Sequence, residues 1–327
     1  MKCPTLNELP APPPGKTGWP WTKENSRLTD TLSDFSALRP AQGATNSGQI
    51  SPFPRVSIIM PSYNQGEFIE ESIRSVLLQG YHDLEYIIID GGSTDESIEI
   101  IRRYEPWLAY WVQEPDRGQS HAINKGFERA TGSIINWLNS DDLLYPGALR
   151  AIVLGFAENP NTGMIYGTGA KINAQGDTVV KEIHYRPHDP HLLKTRYCML
   201  QQSAFMRRST LLDVGLLDES IEYFMDWELS LRLSRRQLIY AIPEPIGMFR
   251  IQPAAKTQVS GWDRMQEIAQ IARKYNGWTD RNFIVFWPLS LWKRFEQRTG
   301  WRVFSLLYKV TSLFFDLIYG RHTYMMH

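Results

Sequence analysis

Residues 133–142 read SIINWLNSDD, a short apolar run that ends in two adjacent carboxylates. The run is bounded by Thr131-Gly132 and by the polar quartet 139–142, which predicts a buried strand that stops at the quartet. Bare charge is costly to bury, so both carboxylates must be solvated or paired with something positive. A hard divalent cation that neutralises a diphosphate fits this position. A solvated turn, or the cap of a helix near 148–156, fits it as well.

Three segments upstream of this strand repeat the order strand, polar turn, helix. Their predicted strands cover residues 56–60, 86–89 and 110–112. Ser93 and Glu96 have the spacing of a capping box that opens the second helix. Strands that alternate with helices at this spacing imply right-handed crossovers and a mostly parallel sheet with helices on both faces. The predicted fold class is therefore α/β.

The ligand crevice of such a sheet lies beyond the carboxyl ends of its strands. Polar residues follow all four predicted strands there, namely Asn64, Asp90, Asp116 and Asp141. Each is weak evidence alone, because an Asp before two glycines is more often a turn former than a ligand. Gly91-Gly92 also lacks the glycine spacing of the dinucleotide fingerprint. Four polar ends on one edge nevertheless predict a shared ligand site.

These segments, in order and spacing, resemble the donor-binding half of glycosyltransferase family 2, the inverting enzymes with a GT-A fold. The matching stretches are residues 56–64, 87–95, 114–126, 132–142, 201–203 and 224–229. The resemblance covers residues 56–257, about three fifths of the chain. It implies transfer of a sugar from a nucleoside diphosphate sugar to a hydroxyl of a glycan or lipid-linked acceptor, in cell-surface polysaccharide biosynthesis.

The resemblance also assigns roles to the strand ends. It implies a nucleotide pocket that contains Pro61, Tyr63, Asn64, Asp90 and Asp116. Residues 139–141 stand at the family's Asp-x-Asp motif, so Asp141, with Asp142 beside it, is the implied ligand of a divalent cation such as Mn or Mg. The first Asp of that motif is Asn139 here, which can contact the nucleotide only through its amide. Because the site loses a negative charge, we expect weaker metal binding.

Asp226 stands where the family places its general base. The reaction needs one, because the acceptor hydroxyl that attacks the anomeric carbon must lose its proton. The alternative is an acid in the first turn of a helix that continues through Leu229 and Leu233, where it favours the helix dipole. The expected acceptor-binding residues are Gln201, Gln202, Trp227 and Glu228, with a supporting role as the alternative for Glu228.

Gln252 stands where many relatives carry a His. An amide oxygen is a poorer ligand than imidazole for most metals that favour imidazole, so Gln252 would serve a metal only weakly. Arg250 and Lys256 could compensate as partners of the diphosphate, and Lys256 is included among the predicted nucleotide-binding residues. A solvated loop with ordinary surface charges is the alternative for this segment.

Two other functions stay open at this point. The altered Asn139 and Gln252 allow a catalytically silent binding module tethered at a membrane, whereas Asp141 and Asp226 argue against it. A nucleotidyltransferase also uses carboxylate-bound Mg on an α/β sheet, but the glycine-rich and basic phosphate loop expected near the first strand is missing.

Composition agrees with a soluble enzyme that has an unusual tail. The chain has 327 residues, and its 35 basic and 35 acidic residues give a formal net charge of zero, so nothing suggests binding to a nucleic acid polymer. Its two cysteines, Cys3 and Cys198, cannot form a disulfide framework, which fits a reducing, cytoplasmic compartment.

The predicted organisation has three parts. Residues 1–54 form a Pro-rich arm that either lies on the domain, with Trp19 and Trp21 as anchors, or is a disordered leader. Residues 55–260 form the glycosyltransferase domain, with a nucleotide-sugar half, 55–145, and an acceptor half, 146–260. Residues 261–327 form a helical extension without the roughly 18 uninterrupted apolar residues that span a bilayer. This extension suits a helix in the membrane interface on the cytoplasmic side, a helical pair folded back on the domain, or a homodimer contact.

Overall fold

The computed structural model describes residues 3–24, 54–183, 188, 193, 199–252, 256 and 262–275. The chain divides into two compact units, the first made of residues 1–189 and 199–252 and the second of residues 190–198 and 253–327. No helix among the described residues is long and apolar enough to cross a membrane. The aromatic and basic segments predicted to suit a membrane interface, 283–289 and 303–318, fall outside the described residues, as does Cys198.

Within the described residues, nine strands form one sheet. They are β1 (Val56–Ser62), β2 (Leu84–Asp90), β3 (Tyr110–Gln113), β4 (Ile134–Trp137), β5 (Leu143–Leu144), β6 (Thr162–Ile172), β7 (Thr178–Ile183), β8 (Ala204–Arg207) and β9 (Leu238–Arg250). Their order is β3-β2-β1-β4-β8-β6-β9-β5, and β7 pairs with β6.

The predicted α/β fold is confirmed, with its parallel strands concentrated in one half of the sheet. β1 to β4 are parallel to one another. β8 runs antiparallel to both β4 and β6, and β9 is parallel to β6 and antiparallel to β5. The strand-turn-helix repeat that imposes parallel pairing stops after β4, so the second half is free to form a mixed sheet.

Helices accompany the sheet on both faces. The first unit contains α1 (Ile69–Leu77), α2 (Ser97–Tyr104), α3 (Gln119–Arg129), α4 (Ala148–Glu158), α5 (Arg208–Val214) and α6 (Met225–Arg236), and the second contains α7 (Trp262–Tyr275). In β1, Ile58 and Met60 join the main core together with Ile73 of α1. Ile59 alternates to the opposite face, where a Cβ on Gly126 of α3 would collide with it.

The N-terminal arm, residues 3–24, lies against α1 through a buried arginine. The Arg74 side chain is fully buried and donates hydrogen bonds to the carbonyl oxygens of Pro10 at 2.8 Å, Pro20 at 3.2 Å and Trp21 at 3.2 Å. Its guanidinium also lies 5.2 Å from the centroid of the Trp21 ring, within the range of a cation–π contact. Arg74 therefore binds the arm mainly through the arm's own backbone.

Two further hydrogen bonds connect the arm to the sheet domain. Trp19 Nε1 donates to the carbonyl oxygen of Leu144 in β5 at 2.9 Å. Cys3 Sγ donates to the carbonyl oxygen of Tyr81 at 3.0 Å, and burial raises the pKa of the Cys3 thiol to about 11. Both tryptophans named in the sequence analysis thus contact the sheet domain, Trp19 at Leu144 and Trp21 at Arg74.

We expect Arg74→Ala to lower the free energy of unfolding by about 3 kcal/mol, because it leaves three arm carbonyls without their donor and each unsatisfied buried group costs about 1–3 kcal/mol. Urea denaturation followed by circular dichroism measures the loss. Arg103→Ala is the control, since its ion pair with Glu70 is half-exposed on the arginine side and should contribute less than about 1 kcal/mol. Equal losses in the two variants would contradict the role given to Arg74.

Candidate functional site

The carboxyl ends of the parallel strands meet at one edge of the sheet. The register pairs Ser62 at the end of β1 with Asp90 at the end of β2, and Asp90 with Gln113 at the end of β3. On the other side of β1, the last residue of β4, Trp137, pairs with Ile59. The loops that leave the sheet at this edge carry Asn64, Asp116 and Asp141. This common edge is the one that the strand pattern predicts.

Asp90 organises the loop after β2 from inside the protein. Its carboxylate is fully buried, and its Oδ1 accepts the backbone N–H groups of Gly92 at 3.0 Å and Ser93 at 2.7 Å. Its Oδ2 accepts the Ser93 hydroxyl at 2.7 Å, and Ser93 Oγ accepts the backbone N–H of Asn64 at 2.8 Å. Asp90 therefore supports the loop with both of its oxygens, and its contact with a nucleoside stays a prediction.

The predicted capping box of Ser93 and Glu96 is wrong. α2 begins at Ser97, and the backbone N–H of Ser97 donates to Asp95 Oδ1 at 3.0 Å. Asp95 Oδ2 accepts the N–H of Gly66 at 2.8 Å. Burial opposes ionisation of Asp95, but these hydrogen bonds outweigh it and lower its pKa. Glu96, not Ser93, is the residue before α2, and the Ser93 oxygen accepts the N–H of Asn64 instead.

The loop after β1 presents two of its three predicted residues to solvent. Tyr63 is 61% exposed, whereas Pro61 is buried inside β1. Asn64 has a φ of 50°, in the left-handed region that Asn tolerates better than most residues. Its Oδ1 accepts the backbone N–H of Thr94 at 2.9 Å. Asn64 therefore connects the loops after β1 and β2.

Asp116 brings the loop after β3 close to the loops after β1 and β2. Its Oδ1 accepts the backbone N–H of Gly118 at 2.8 Å, just before α3 begins. A Cβ on Gly91 would lie 2.5 Å from Asp116 Oδ2, so any other residue there would displace the carboxylate. The N–H of Gly91 donates to the carbonyl oxygen of Ser62 at 2.8 Å. The three loops consequently meet at Gly91.

The polar quartet after β4 is held by a chain of hydrogen bonds. Gln119 Nε2 donates to Asn139 Oδ1 at 2.7 Å, and Asn139 Nδ2 donates to Asp142 Oδ2 at 3.1 Å. The backbone N–H of Arg250 donates to Asp142 Oδ1 at 2.9 Å. Asp142 is 1% exposed, and burial followed by the charge of Asp141 raises its pKa well above the ordinary value. Asp142 is therefore a buried neighbour whose two oxygens are already bound within the protein.

Asp141 is the carboxylate of the quartet that remains closer to the surface. Gln252 Nε2 donates to its Oδ2 at 2.7 Å and lies 3.5 Å from Gln65 Oε1. Burial raises the pKa of Asp141, and the Gln252 hydrogen bond and the charge of Arg250 act in the opposite direction. Gln252 thus holds the side chain of Asp141 from the carboxyl end of β9.

Within the described residues, no group of three or more His, Cys, Asp or Glu side chains is arranged to hold a metal ion by itself. Mg²⁺ in phosphate-binding sites is commonly held by one or two carboxylates together with phosphate oxygens and water. Asp141 has a second oxygen beyond the one that Gln252 occupies, and a cation would favour its charged form. The residues therefore fit a cation that binds together with a diphosphate.

Asp226 lies in the first turn of α6, whose amino terminus is joined to the quartet. Ser120 Oγ lies 2.8 Å from the sulfur of Met225, the residue before Asp226. The residue before Ser120 is Gln119, which bonds Asn139. Asp226 Oδ1 accepts the backbone N–H of Trp227 at 2.8 Å, and its side chain is partly buried. The first turns of α3 and α6 and the quartet thus form one connected group.

The short turn Gln201–Ser203 lies beside the end of β4. Gln201 Nε2 donates to the carbonyl oxygen of Trp137 at 2.7 Å and to Asn136 Oδ1 at 3.2 Å. Two buried amide atoms, Gln201 Oε1 and Gln202 Nε2, have no hydrogen-bond partner among the described residues. Such atoms cost about 1–3 kcal/mol each when unsatisfied, and a hydroxyl-bearing ligand supplies both a donor and an acceptor.

Trp227 and Glu228 are buried beside Asp226, and their contact with an acceptor stays a prediction. Trp227 is 4% exposed and packs edge-on against Phe224, with 6.2 Å between ring centroids. Glu228 is 1% exposed and forms an ion pair with Arg232 at 2.9 Å. Arg232 in turn donates to the carbonyl oxygens of Val214, Gly215 and Leu216. Both residues support α6 from within. Lys256 lies in the second unit, and its contact with a diphosphate stays a prediction.

Two side chains of the site were not assigned their role from the sequence. Gln119 links Asn139 to α3, and the Ser93 hydroxyl links the loops after β1 and β2. Ser93 lies only three residues after a strand-end Asp, a spacing at which a hydroxyl can bond back to the carboxylate. Gln119 carries no comparable local signal, because its partner is twenty residues away.

Comparison with known proteins agrees with this architecture. The profile of glycosyl transferase family 2 matches residues 57–219. An uncharacterized glycosyltransferase of Rickettsia prowazekii (strain Madrid E) is 28% identical over 221 residues, which are 65% of this chain and 69% of the relative.

Two solved structures share the fold. The crystal structure of S. aureus TarS in complex with UDP-GlcNAc has a TM-score of 0.54 and 16% identity, over 66% of this chain and 65% of that chain. A mannosyltransferase from Pyrobaculum calidifontis, in complex with GDP-Man and Mn²⁺, has a TM-score of 0.56 and 18% identity over 90% of both chains. At these identities the likeness establishes the GT-A fold alone.

We expect Gly91→Ala to weaken nucleotide binding about tenfold, or about 1.4 kcal/mol, because the new Cβ displaces the Asp116 carboxylate. Titration calorimetry with UDP and GDP measures the change. Gly155→Ala in α4 is the control, since its Cβ would lie 3.2 Å from Ile165 Cδ1, in the core and not beside Asp116. Unchanged affinity in Gly91→Ala would contradict the importance of this close approach.

Proposed function

We propose that this chain, a member of glycosyltransferase family 2, transfers a sugar from a nucleoside diphosphate sugar to a hydroxyl of a glycan or lipid-linked acceptor, with inversion at the anomeric carbon. One observation carries the proposal: the first turn of α6, with Asp226, is joined through Gln119 and Ser120 to the turn that contains Asp141. The proposed base and the proposed diphosphate site thus belong to one connected structure.

The loops after β1, β2 and β3 are the proposed seat of the nucleoside. Asn64 and Asp116 lie at their surface, and the buried Asp90 fixes the backbone beneath them. Asp141 is the residue proposed to hold the divalent cation. A cation at such a site supplies charge stabilisation for the leaving nucleoside diphosphate. Because Asn139 is neutral, the protein contributes less negative charge to that cation than an Asp would.

Asp226 is the proposed general base. A carboxylate within hydrogen-bond reach of the attacking hydroxyl can accept its proton as the new glycosidic bond forms. One displacement of this kind inverts the anomeric centre. Placement in the first turn of α6 stabilises the charged carboxylate through the helix dipole. The same Asp226 can therefore stabilise the helix and act as the general base.

Gln201 and Gln202 are the proposed contacts for sugar hydroxyls. Gln201 Oε1, an acceptor, and Gln202 Nε2, a donor, have no partner within the described part of the chain and are suited to a hydroxyl-rich ligand. We place the reaction in cell-surface polysaccharide biosynthesis, on the cytoplasmic face of the membrane. The aromatic and basic composition of residues 276–327 supports a peripheral membrane contact or a homodimer contact there.

Asp226→Asn should lower kcat at least about 100-fold, because it removes the proton acceptor, and should leave nucleotide affinity nearly unchanged. Asp141→Ala should weaken nucleotide-sugar binding together with turnover. Steady-state kinetics and calorimetry on both variants separate the two roles. Near-normal turnover of Asp226→Asn would refute the base assignment, and equal loss of binding in both variants would indicate a folding defect instead.

A thermal-shift screen identifies the sugar donor, because a ligand that binds the native state raises the melting temperature. We expect either UDP-GlcNAc or GDP-Man to stabilise the protein, and the shift to grow with Mn²⁺. Hydrolysis of the stabilising compound then tests chemistry. Binding without any hydrolysis or transfer would favour the catalytically silent module. This module is the second candidate because Gln252, which stands where many relatives carry a His, donates a hydrogen bond to Asp141.

A further inference from the structure

We propose that Arg250 is a positioning residue of this site, one that fixes the turn of Asp141 and Asp142 for cation and nucleotide binding without contacting the nucleotide itself. The inference rests on the proposed function of that turn. Arg250 was expected from the sequence to face a diphosphate. Its side chain is instead fully buried, so its charge acts inside the protein.

The guanidinium of Arg250 joins three separate segments. Its Nε donates to the carbonyl oxygen of Asp141 at 2.8 Å, and its Nη1 donates to the carbonyl oxygens of Asn173 and Ala174 at 3.0 Å each. Its Nη2 forms an ion pair with Glu71 of α1 at 3.0 Å. The turn after β4, the turn between β6 and β7, and α1 are thereby held around one side chain.

The backbone beside this side chain holds the carboxylates themselves. The N–H of Arg250 donates to Asp142 Oδ1 at 2.9 Å, and Gln252, two residues later, donates to Asp141 Oδ2 at 2.7 Å. Anything that moves the end of β9 therefore moves both contacts together. Since Arg250 anchors that end through its side chain, it sets the position of both carboxylates.

Geometry rather than charge makes arginine necessary here. Four of the five N–H groups of a guanidinium are used, and they point to acceptors in different directions. The guanidinium also lies 4.9 Å from the ring centroid of Phe68. A lysine would keep the positive charge but has a single nitrogen with three donors, so it cannot reproduce this fork. Glu71, 6% exposed, would lose a fixed partner.

The test compares Arg250→Lys with Arg74→Lys. Both arginines are fully buried and bond backbone carbonyls, but the three carbonyls that Arg74 bonds belong to the N-terminal arm. Each variant is measured by urea denaturation for stability and by titration calorimetry with Mn²⁺ in the presence of UDP and of GDP. Loss of an outer-shell partner typically lowers metal affinity 10- to 100-fold.

We expect Arg250→Lys to raise the dissociation constant for Mn²⁺ at least about tenfold, and Arg74→Lys to change it less than about twofold despite a similar loss of stability. Glu71→Gln keeps an acceptor for Nη2 and removes only the charge. If Arg250→Lys does not fold, the test uses Glu71→Gln, for which we expect a smaller rise in the dissociation constant for Mn²⁺. Wild-type affinity in Arg250→Lys, or equal losses of affinity in both lysine variants, would overturn the inference.

The same measurements distinguish this inference from the proposed function. If the wild-type protein binds Mn²⁺ with a nucleotide but transfers no sugar, the proposed function fails. The ratio of the Mn²⁺ dissociation constants of Arg250→Lys and the wild type still tests the role of Arg250. If transfer occurs and Arg250→Lys retains wild-type affinity, the role of Arg250 fails alone. Absence of any Mn²⁺-dependent nucleotide binding in the wild type would overturn both.

Discussion

Two adjacent carboxylates at the end of a buried strand need hydrogen-bond donors or a positive charge nearby, and the polar groups around Asp141 and Asp142 supply both. Each receives a hydrogen bond from a distant part of the chain, Asp142 from the Arg250 backbone at the end of β9 and Asp141 from Gln252 two residues later. Asp142 also accepts one from Asn139 within the turn. Arg250 adds a positive charge that is itself fully buried. These contacts compensate the cost of desolvating the charged groups, and they form only when the turn after β4 and the end of β9 are correctly placed.

Helix α1 shows how far this constraint extends. All nine of its residues are buried, including polar ones. Ser72 donates to the carbonyl oxygen of Ser140 at 3.0 Å, and Glu71 pairs with Arg250 at 3.0 Å. On another side, Arg74 binds the N-terminal arm. The arm therefore covers the same helix that supports the turn of the carboxylates. Contacts with both the arm and this turn bury the helix.

The sequence predicts those features that depend on local pattern. The apolar runs of β1, β2 and β4 and the alternation with helices indicate a parallel sheet, and parallel strands must end at one edge. The second half of the sheet was not predictable in this way, because antiparallel β8 and parallel β9 follow from long-range pairing. The role of Arg250 was missed for the same reason. Its partner Glu71 is 179 residues away, and no local period reports such a contact.

Burial distinguishes Asp226 from the two residues that follow it. Trp227 and Glu228 lie next to Asp226 in sequence, but successive residues of a helix point in different directions. Asp226 faces outward enough to stay partly exposed, whereas Trp227 and Glu228 face the interior. A motif read as a linear string cannot separate these directions. The helix geometry does, once the start of α6 at Met225 is known.

The departure from the family pattern at position 139 is consistent with the burial of Asp142. Asn139 Nδ2 donates to Asp142 Oδ2, and its Oδ1 accepts from Gln119. An ionised Asp at 139 has no hydrogen to donate, and it would add a third acidic side chain beside Asp142, which is 1% exposed. The amide therefore lets Asp142 stay buried and bonded. The change at 139 removes a charge that could serve a cation, and it supplies a hydrogen bond that fixes the turn on which Asp141 stands.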